Sequence, residues 1–260
     1  MSDTFLGAAA PLTQTGFDDV AHQLAIDVQS LWALLTVETR GFGFLPDRRP
    51  KILYERHIFH KRTGGRFSAA NPDISSSNPG GYQGGAAEYD RLMRAIRLDR
   101  QAALESTSRG LPQIMGFNAR TLRYLNAEEM IQNFINDEDT QLQGANRFIS
   151  SNAALSAALR QKDWARVAFF YNGADFQKNQ YDRKLAHYHD LFNIKGTPSI
   201  EIRAAQARLT YIGFEPGGID GVVGNGTRTA TIAFQRAKQL NVTADLDDPT
   251  LAALKLAAGV

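Results

Sequence analysis

The chain has 260 residues, a net charge of +2 and no cysteine. Disulfides and thiolate metal sites are thereby excluded, and so small a positive charge gives no argument for a nucleic-acid partner. Hydrophobic residues make up 43% and charged residues 22%, the balance of a folded protein with room for one large and one small domain.

The opening "MSDTFLGAAAPLTQTG" lacks a basic n-region and a long apolar core. No stretch reaches the ~18 apolar residues of a membrane span. The expectation is a protein made in the cytoplasm without a signal peptide and without membrane insertion. Phe17, Val20, Leu24, Val28, Leu31 and Leu35 recur at three and four, which predicts a helix over 17–37 with Thr15 as its cap and Asp18 completing a capping box. That helix ends on a single carboxylate, Glu38, followed by "TRGFGF", 39–44. "KILYERHIF", 51–59, has the β-branched and aromatic content of a strand and also fits a short helix. Residues 63–86, rich in Gly, Ser, Asn and Pro, read as a long loop of the kind that carries function. Helical patterns follow near 87–104, 127–150, 153–160, 163–171 and 177–192. "NIKGTPS" then reads as a linker, which divides the chain into 1–192, a linker at 193–199, and a small unit at 200–260.

An acid at the end of an apolar helix suits proton donation. A free glutamic acid with a pKa of ~4.3 is ionised at neutral pH. Partial burial of Glu38 among Leu35, Phe42 and Phe44 would disfavour the anion and keep the proton available. Glu55, in "ILYERHIFH", is the second candidate carboxylate; an ion pair with Arg56 or Arg48 is its alternative reading. The pairs His57/His60 and His187/His189 belong to no HExxH motif, so neither a catalytic metal nor any other cofactor is expected.

Four separated motifs, in order, resemble the phage-type N-acetylmuramidases of the lysozyme superfamily. They are Val37-Glu38-Thr39, Ile52 to His57, Gly110 to Asn118 ("GLPQIMGFN") and Tyr171-Asn172-Gly173. The resemblance covers roughly residues 15–192. It implies a mainly α, α+β lysozyme-like domain with a small β-hairpin or sheet. It further implies Glu38 as general acid and Glu55 as the carboxylate that orients water or stabilises the transition state, with the reverse assignment left open. Ser108, Gly110 and Gln113 would floor the cleft and bind sugar, and Tyr171 and Asn172 would lie near the reacting ring. The sequence departs from the pattern at Arg109 and Pro112, where charge could replace stacking and one backbone donor is lost.

Residues 203–240 resemble a type 1 peptidoglycan-binding module of three helices, on Gln206 to Leu209, Gly213-Phe214, the turn Gly218 to Gly224 with Asp220 as its fixing residue, and Thr227 to Gln235. Together the resemblances imply a monomeric endolysin. It would hydrolyse the β-1,4 bond between N-acetylmuramic acid and N-acetylglucosamine after release to the cell wall. A lytic transglycosylase giving 1,6-anhydro products, a non-catalytic wall-binding protein and a secreted effector are the alternatives.

Overall fold

A computed structural model describes residues 4–39, 42–173 and 176–260, with the backbone alone for Glu38, Thr39 and Asn172. Where one helix was expected over 17–37 there are two, α1 (Gln14–Leu24) and α2 (Val28–Thr39). Ala25 takes a left-handed φ of 55°, and the chain bends by 108° between them. The apolar spacing runs through the break because both helices bury one side in the same core, with Phe17, Val20, Leu31 and Leu35 in a single cluster. The signals that divide them are polar. Thr13, rather than Thr15, caps α1 by accepting from Gly16 N at 3.0 Å, and Asp27 opens α2 by accepting from Ser30 N at 2.7 Å. Although this bent pair is apolar, no single helix among the described residues is long and apolar enough to cross a membrane.

Asp27 also meets Lys162 Nζ at 2.7 Å. Burial alone would push its carboxyl up, but the Lys162 ammonium and the Ser30 N–H outweigh burial and hold it down at about 2. A carboxyl depressed in the folded state stabilises above its unfolded pKa, and that stability disappears as pH falls through the folded value. Asp27→Asn is therefore expected to cost about 1–2 kcal/mol at pH 7, discounted for partial exposure. The deficit should vanish between about pH 4 and 2. Urea unfolding at pH 7 and pH 2.5 checks this; an equal loss at both would assign the effect to the cap alone.

The segment 51–62 resolves into both readings. Ile52–Tyr54 is strand β1, Glu55 sits at the cap position, and Arg56–Arg62 is helix α3. Residues 63–86 form a looped excursion, closed by α4 (Ala87–Leu98) and α5 (Arg100–Glu105). Strands β2 (Thr107–Arg109) and β3 (Ile114–Met115) complete an antiparallel sheet in the order β1-β2-β3. Its pairing aligns Leu53 with Ser108 and Ser108 with Met115 in one row across the sheet. The other face carries Ile52, Tyr54, Thr107 and Arg109, all buried.

The expected helix over 127–150 is also two, α6 (Ala127–Phe134) and α7 (Glu138–Ser150), because Asp137 restarts the chain by accepting from Thr140 N at 2.6 Å. Helices α8 (Ala153–Arg160), α9 (Trp164–Asn172) and α10 (Tyr181–Lys195) follow. Since α10 runs on to Lys195, only residues 196–199 connect the two units, fewer than the linker expected.

The C-terminal unit has three helices, α11 (Ile200–Tyr211), α12 (Asn225–Ala237) and α13 (Asp248–Ala258). Two buried glutamines organise its loops in the same way. Gln206 accepts from Asp220 N and Gly221 N and donates to Asp220, Val222 O and Thr227. Gln235 accepts from Thr243 N and Ala244 N and donates to Thr243, Asp245 O and Thr250. Asp220 fixes its turn as expected, accepting from Val222 N at 3.0 Å. The equivalence of the two loops was hidden in sequence because different spacings, Gln206 to Thr227 and Gln235 to Thr250, reach the same geometry.

Candidate active site

The row Leu53, Ser108 and Met115 is the sheet face left partly open, and Glu55 lies one residue beyond β1 at its edge. Its backbone N–H donates to Ser106 O at 2.9 Å, which fixes the start of α3. The Glu55 carboxylate is only 15% exposed and receives the Tyr82 hydroxyl, at 2.8 Å to one oxygen and 3.1 Å to the other. His57 Nδ1 lies 3.1 Å from the same carboxylate but off the line of a hydrogen bond. The structure does not pair Glu55 with either arginine expected as its alternative partner. Arg56 donates to Asn78 O and Pro79 O, and Arg48 donates to Ala258 O.

Tyr82 was not visible as a site residue in the sequence. It sits half-exposed in the Gly-rich loop, and burial, then the bond to Glu55, push its hydroxyl up to about 12. At neutral pH it is a donor. The loop that presents it is held from beneath by a buried pair on α4. Glu88 accepts from Tyr54 N, Gln83 N and Gly84 N, and Arg91 donates to Glu88, Tyr54 O, Asp73 O and Gly80 O.

At the other end of the sheet, residues 110–113 form the turn between β2 and β3. Gln113 Nε2 donates to Gly110 O at 2.8 Å and Lys51 O at 3.3 Å, while Oε1 accepts from Ser108 Oγ at 3.1 Å. The three residues expected on the cleft floor are thus brought together, and their polar groups meet one another. Gly110, at φ 67°, is approached by a protein side chain: a Cβ there would stand 2.6 Å from the Gln141 amide. Tyr171 closes the turn from the helical side by donating to Pro112 O at 3.2 Å. Leu34 and Leu35, in the turn of α2 before Glu38, share an apolar cavity with Leu111, Pro112 and Tyr171. The end of α2 therefore abuts the turn that carries the floor residues. The side chains of Glu38 and Asn172 lie outside the described residues.

Phe42 and Phe44, expected around Glu38, are both buried with Ala9 and Ala207, against Tyr211 and Ile219 of the C-terminal unit. One expectation is corrected: Arg109 does not put a charge where stacking is usual. It points behind the sheet, fully buried, its guanidinium 5.4 Å over the Phe5 ring, with burial lowering it to about 10. His60 donates to or accepts from Ser68, and His189 packs on Trp164 beside Asp27, so the histidine pairs do not converge.

Residues 27–193 match the family model described as N-acetylmuramidase, and residues 199–254 match one described as putative peptidoglycan binding domain. No curated protein matches the chain. Among solved structures, the Burkholderia AP3 phage endolysin is similar at 38% identity and a TM-score of 0.67, over 72% of each chain. The first match spans more than half the chain and holds both carboxylates and the whole sheet. It stops in the last turn of α10, and the second begins at the cap of α11. The chain belongs to the N-acetylmuramidase family, and is a peptidoglycan hydrolase with a lysozyme-like fold, carrying a peptidoglycan-binding module.

Proposed function

We propose that this enzyme hydrolyses the β-1,4 bond between N-acetylmuramic acid and N-acetylglucosamine, with Glu38 as general acid and Glu55 as the second carboxylate. The observation that carries the reading is the held state of Glu55: a partly exposed carboxylate at the edge of the open sheet face, bound by Tyr82 through both oxygens. Glu38 delivers a proton to the leaving sugar oxygen. Glu55 orients the incoming water and offsets the charge growing on the ring. Ser108, Gln113, Tyr171 and Asn172 bind the glycan between them, on a turn that Gly110 shapes against Gln141. Hydrolysis is favoured over anhydro-ring closure because only water addition needs a positioned carboxylate on this side. Likeness to a phage endolysin supports the same role here, with release to the wall supplied by another protein. Residues 1–192 form the catalytic domain and 200–260 the wall-binding one.

Mass spectrometry of digested, purified peptidoglycan tests the reaction. Reducing muramic acid ends are expected. Anhydro ends would make the enzyme a transglycosylase, reducing glucosamine ends would move the bond, and no products would leave a binding protein.

Tyr82→Phe keeps the ring and removes the donor. A hydrogen bond to a charged group contributes about 1.5 kcal/mol, so kcat/KM is expected to fall about tenfold with unfolding unchanged. Wild-type kinetics in this variant would remove Tyr82 from the mechanism.

A further inference from the structure

We propose that the C-terminal module is a working part of the active site: through Arg203 and Glu138 it fixes the backbone at Gly43, five residues after Glu38, and so sets turnover as well as wall attachment. The inference rests on the muramidase reading for its kinetic consequence. Its structural basis is a polar hub at the start of α7.

Glu138 and Arg203 are both fully buried, one from each module. Arg203 Nη1 and Nη2 each donate to a different Glu138 oxygen at 2.7 Å. Glu138 Oε1 also accepts from Gly43 N at 2.7 Å, and Oε2 from Leu12 N at 2.9 Å. Four donors thus fill the acceptor sites of one carboxylate. Two come from the binding module, one from the N-terminal segment and one from the chain five residues after Glu38.

Gln141, one turn further along α7, extends the hub to the floor of the cleft. Its Oε1 accepts from Leu111 N at 2.6 Å, and its Nε2 donates to Phe134 O at 2.7 Å. The fit leaves no slack: a Cβ on Gly43 would stand 2.2 Å from Gln141 Oε1. Further contacts join the two units around the hub. Ile200 enters the catalytic domain's core cluster, and Ala207 packs with Phe42 and Phe44. Tyr211 Oη donates to Ala9 O at 2.8 Å, and Arg48 reaches Ala258 O at 2.7 Å while lying over the Tyr211 ring.

A wall anchor acts through effective concentration, and a flexible tether suffices for that. Nothing in anchoring requires a desolvated charge pair, which is a costly way to gain stability. What such a pair supplies is one fixed geometry, here imposed on the two segments that border the catalytic helix and the floor turn.

The test uses full-chain Arg203→Met and Arg203→Lys on soluble peptidoglycan oligomers, where no wall attachment is needed. In Arg203→Met, kcat is expected to fall by about 10²-fold, with KM little changed and binding to intact sacculi retained. Arg203→Lys, which keeps the charge without the two-pronged bond, should recover part of the loss. Amide exchange at Gly43 and Leu12 should quicken in both. Wild-type kcat on the oligomers in Arg203→Met, with any loss confined to sacculi, would overturn the proposal and leave the module an anchor. Should Arg203→Met not fold, Arg203→Lys decides by the same two readouts, and wild-type kcat with unchanged exchange overturns it. If wild-type enzyme gives no muramic acid ends, the muramidase reading fails. Exchange at Gly43 in Arg203→Lys then still decides the clamp.

Discussion

Glu38→Gln is expected to lower turnover on peptidoglycan by about 10²–10⁴-fold while leaving wall binding and unfolding unchanged. The substitution keeps size and shape and removes the transferable proton. Its position gives the reason for so large an effect. Glu38 falls in the last turn of α2, and the preceding turn, Leu34 and Leu35, lines one apolar cavity with Leu111, Pro112 and Tyr171. The helix end is thereby carried to the turn that bears the cleft floor. The paired measurement is Glu55→Gln. If Glu38→Gln stays active while Glu55→Gln is inert, the acid is Glu55 and the two roles exchange. A pH–rate profile separates the cases further, because loss of the acid removes the alkaline limb and loss of the base removes the acidic one.

The position of Phe42 and Phe44 close behind Glu38 in sequence suggests burial of the acid among them. In the structure Phe42 and Phe44 fill the seam beneath α11, with the Arg203 guanidinium 5.4 Å from the Phe42 ring. A surface that takes a second module's weight uses the same residue types as a hydrophobic pocket, and one sequence cannot tell them apart.

Other features were legible for reasons that can be named. Helices α8 and α9 follow the apolar spacing because each is short and begins at a polar cap, Asn152 and Asp163. The meeting of Ser108, Gly110 and Gln113 was legible because they lie within six residues, on β2 and the turn that follows it. The breaks at Ala25 and at 135–137 were missed because apolar spacing persists across them. Asp27 and Asp137 were the signals present, and each lies three residues before the N–H it accepts. Tyr82, Glu88, Glu138 and Arg203 left no trace in the sequence. Glu138 and Arg203 act across the fold: the donors to Glu138 come from residues 12, 43 and 203, and no local pattern links them.

Glu88→Ala carries the second large expectation, on stability and activity together. Glu88 is fully buried, and four donors meet its carboxylate: Tyr54 N, Gln83 N, Gly84 N and Arg91 Nη1. Removing it leaves Arg91 as an uncompensated buried charge, which costs about 3–5 kcal/mol. That is a large share of the 5–15 kcal/mol typical of a folded domain, and corresponds to a fall in Tm of roughly 10 °C. The loss is local in origin. Gln83 and Gly84 directly follow Tyr82, so freeing their N–H groups releases the donor that holds Glu55. Glu88→Ala should therefore lose at least the tenfold in kcat/KM expected of Tyr82→Phe, measured well below its own Tm. Glu88→Gln, which keeps an acceptor but not the charge, should be milder on both counts. A variant that melts early yet turns over peptidoglycan at the wild-type rate would separate the buried pair from the site, and would show that Tyr82 holds Glu55 without support from α4.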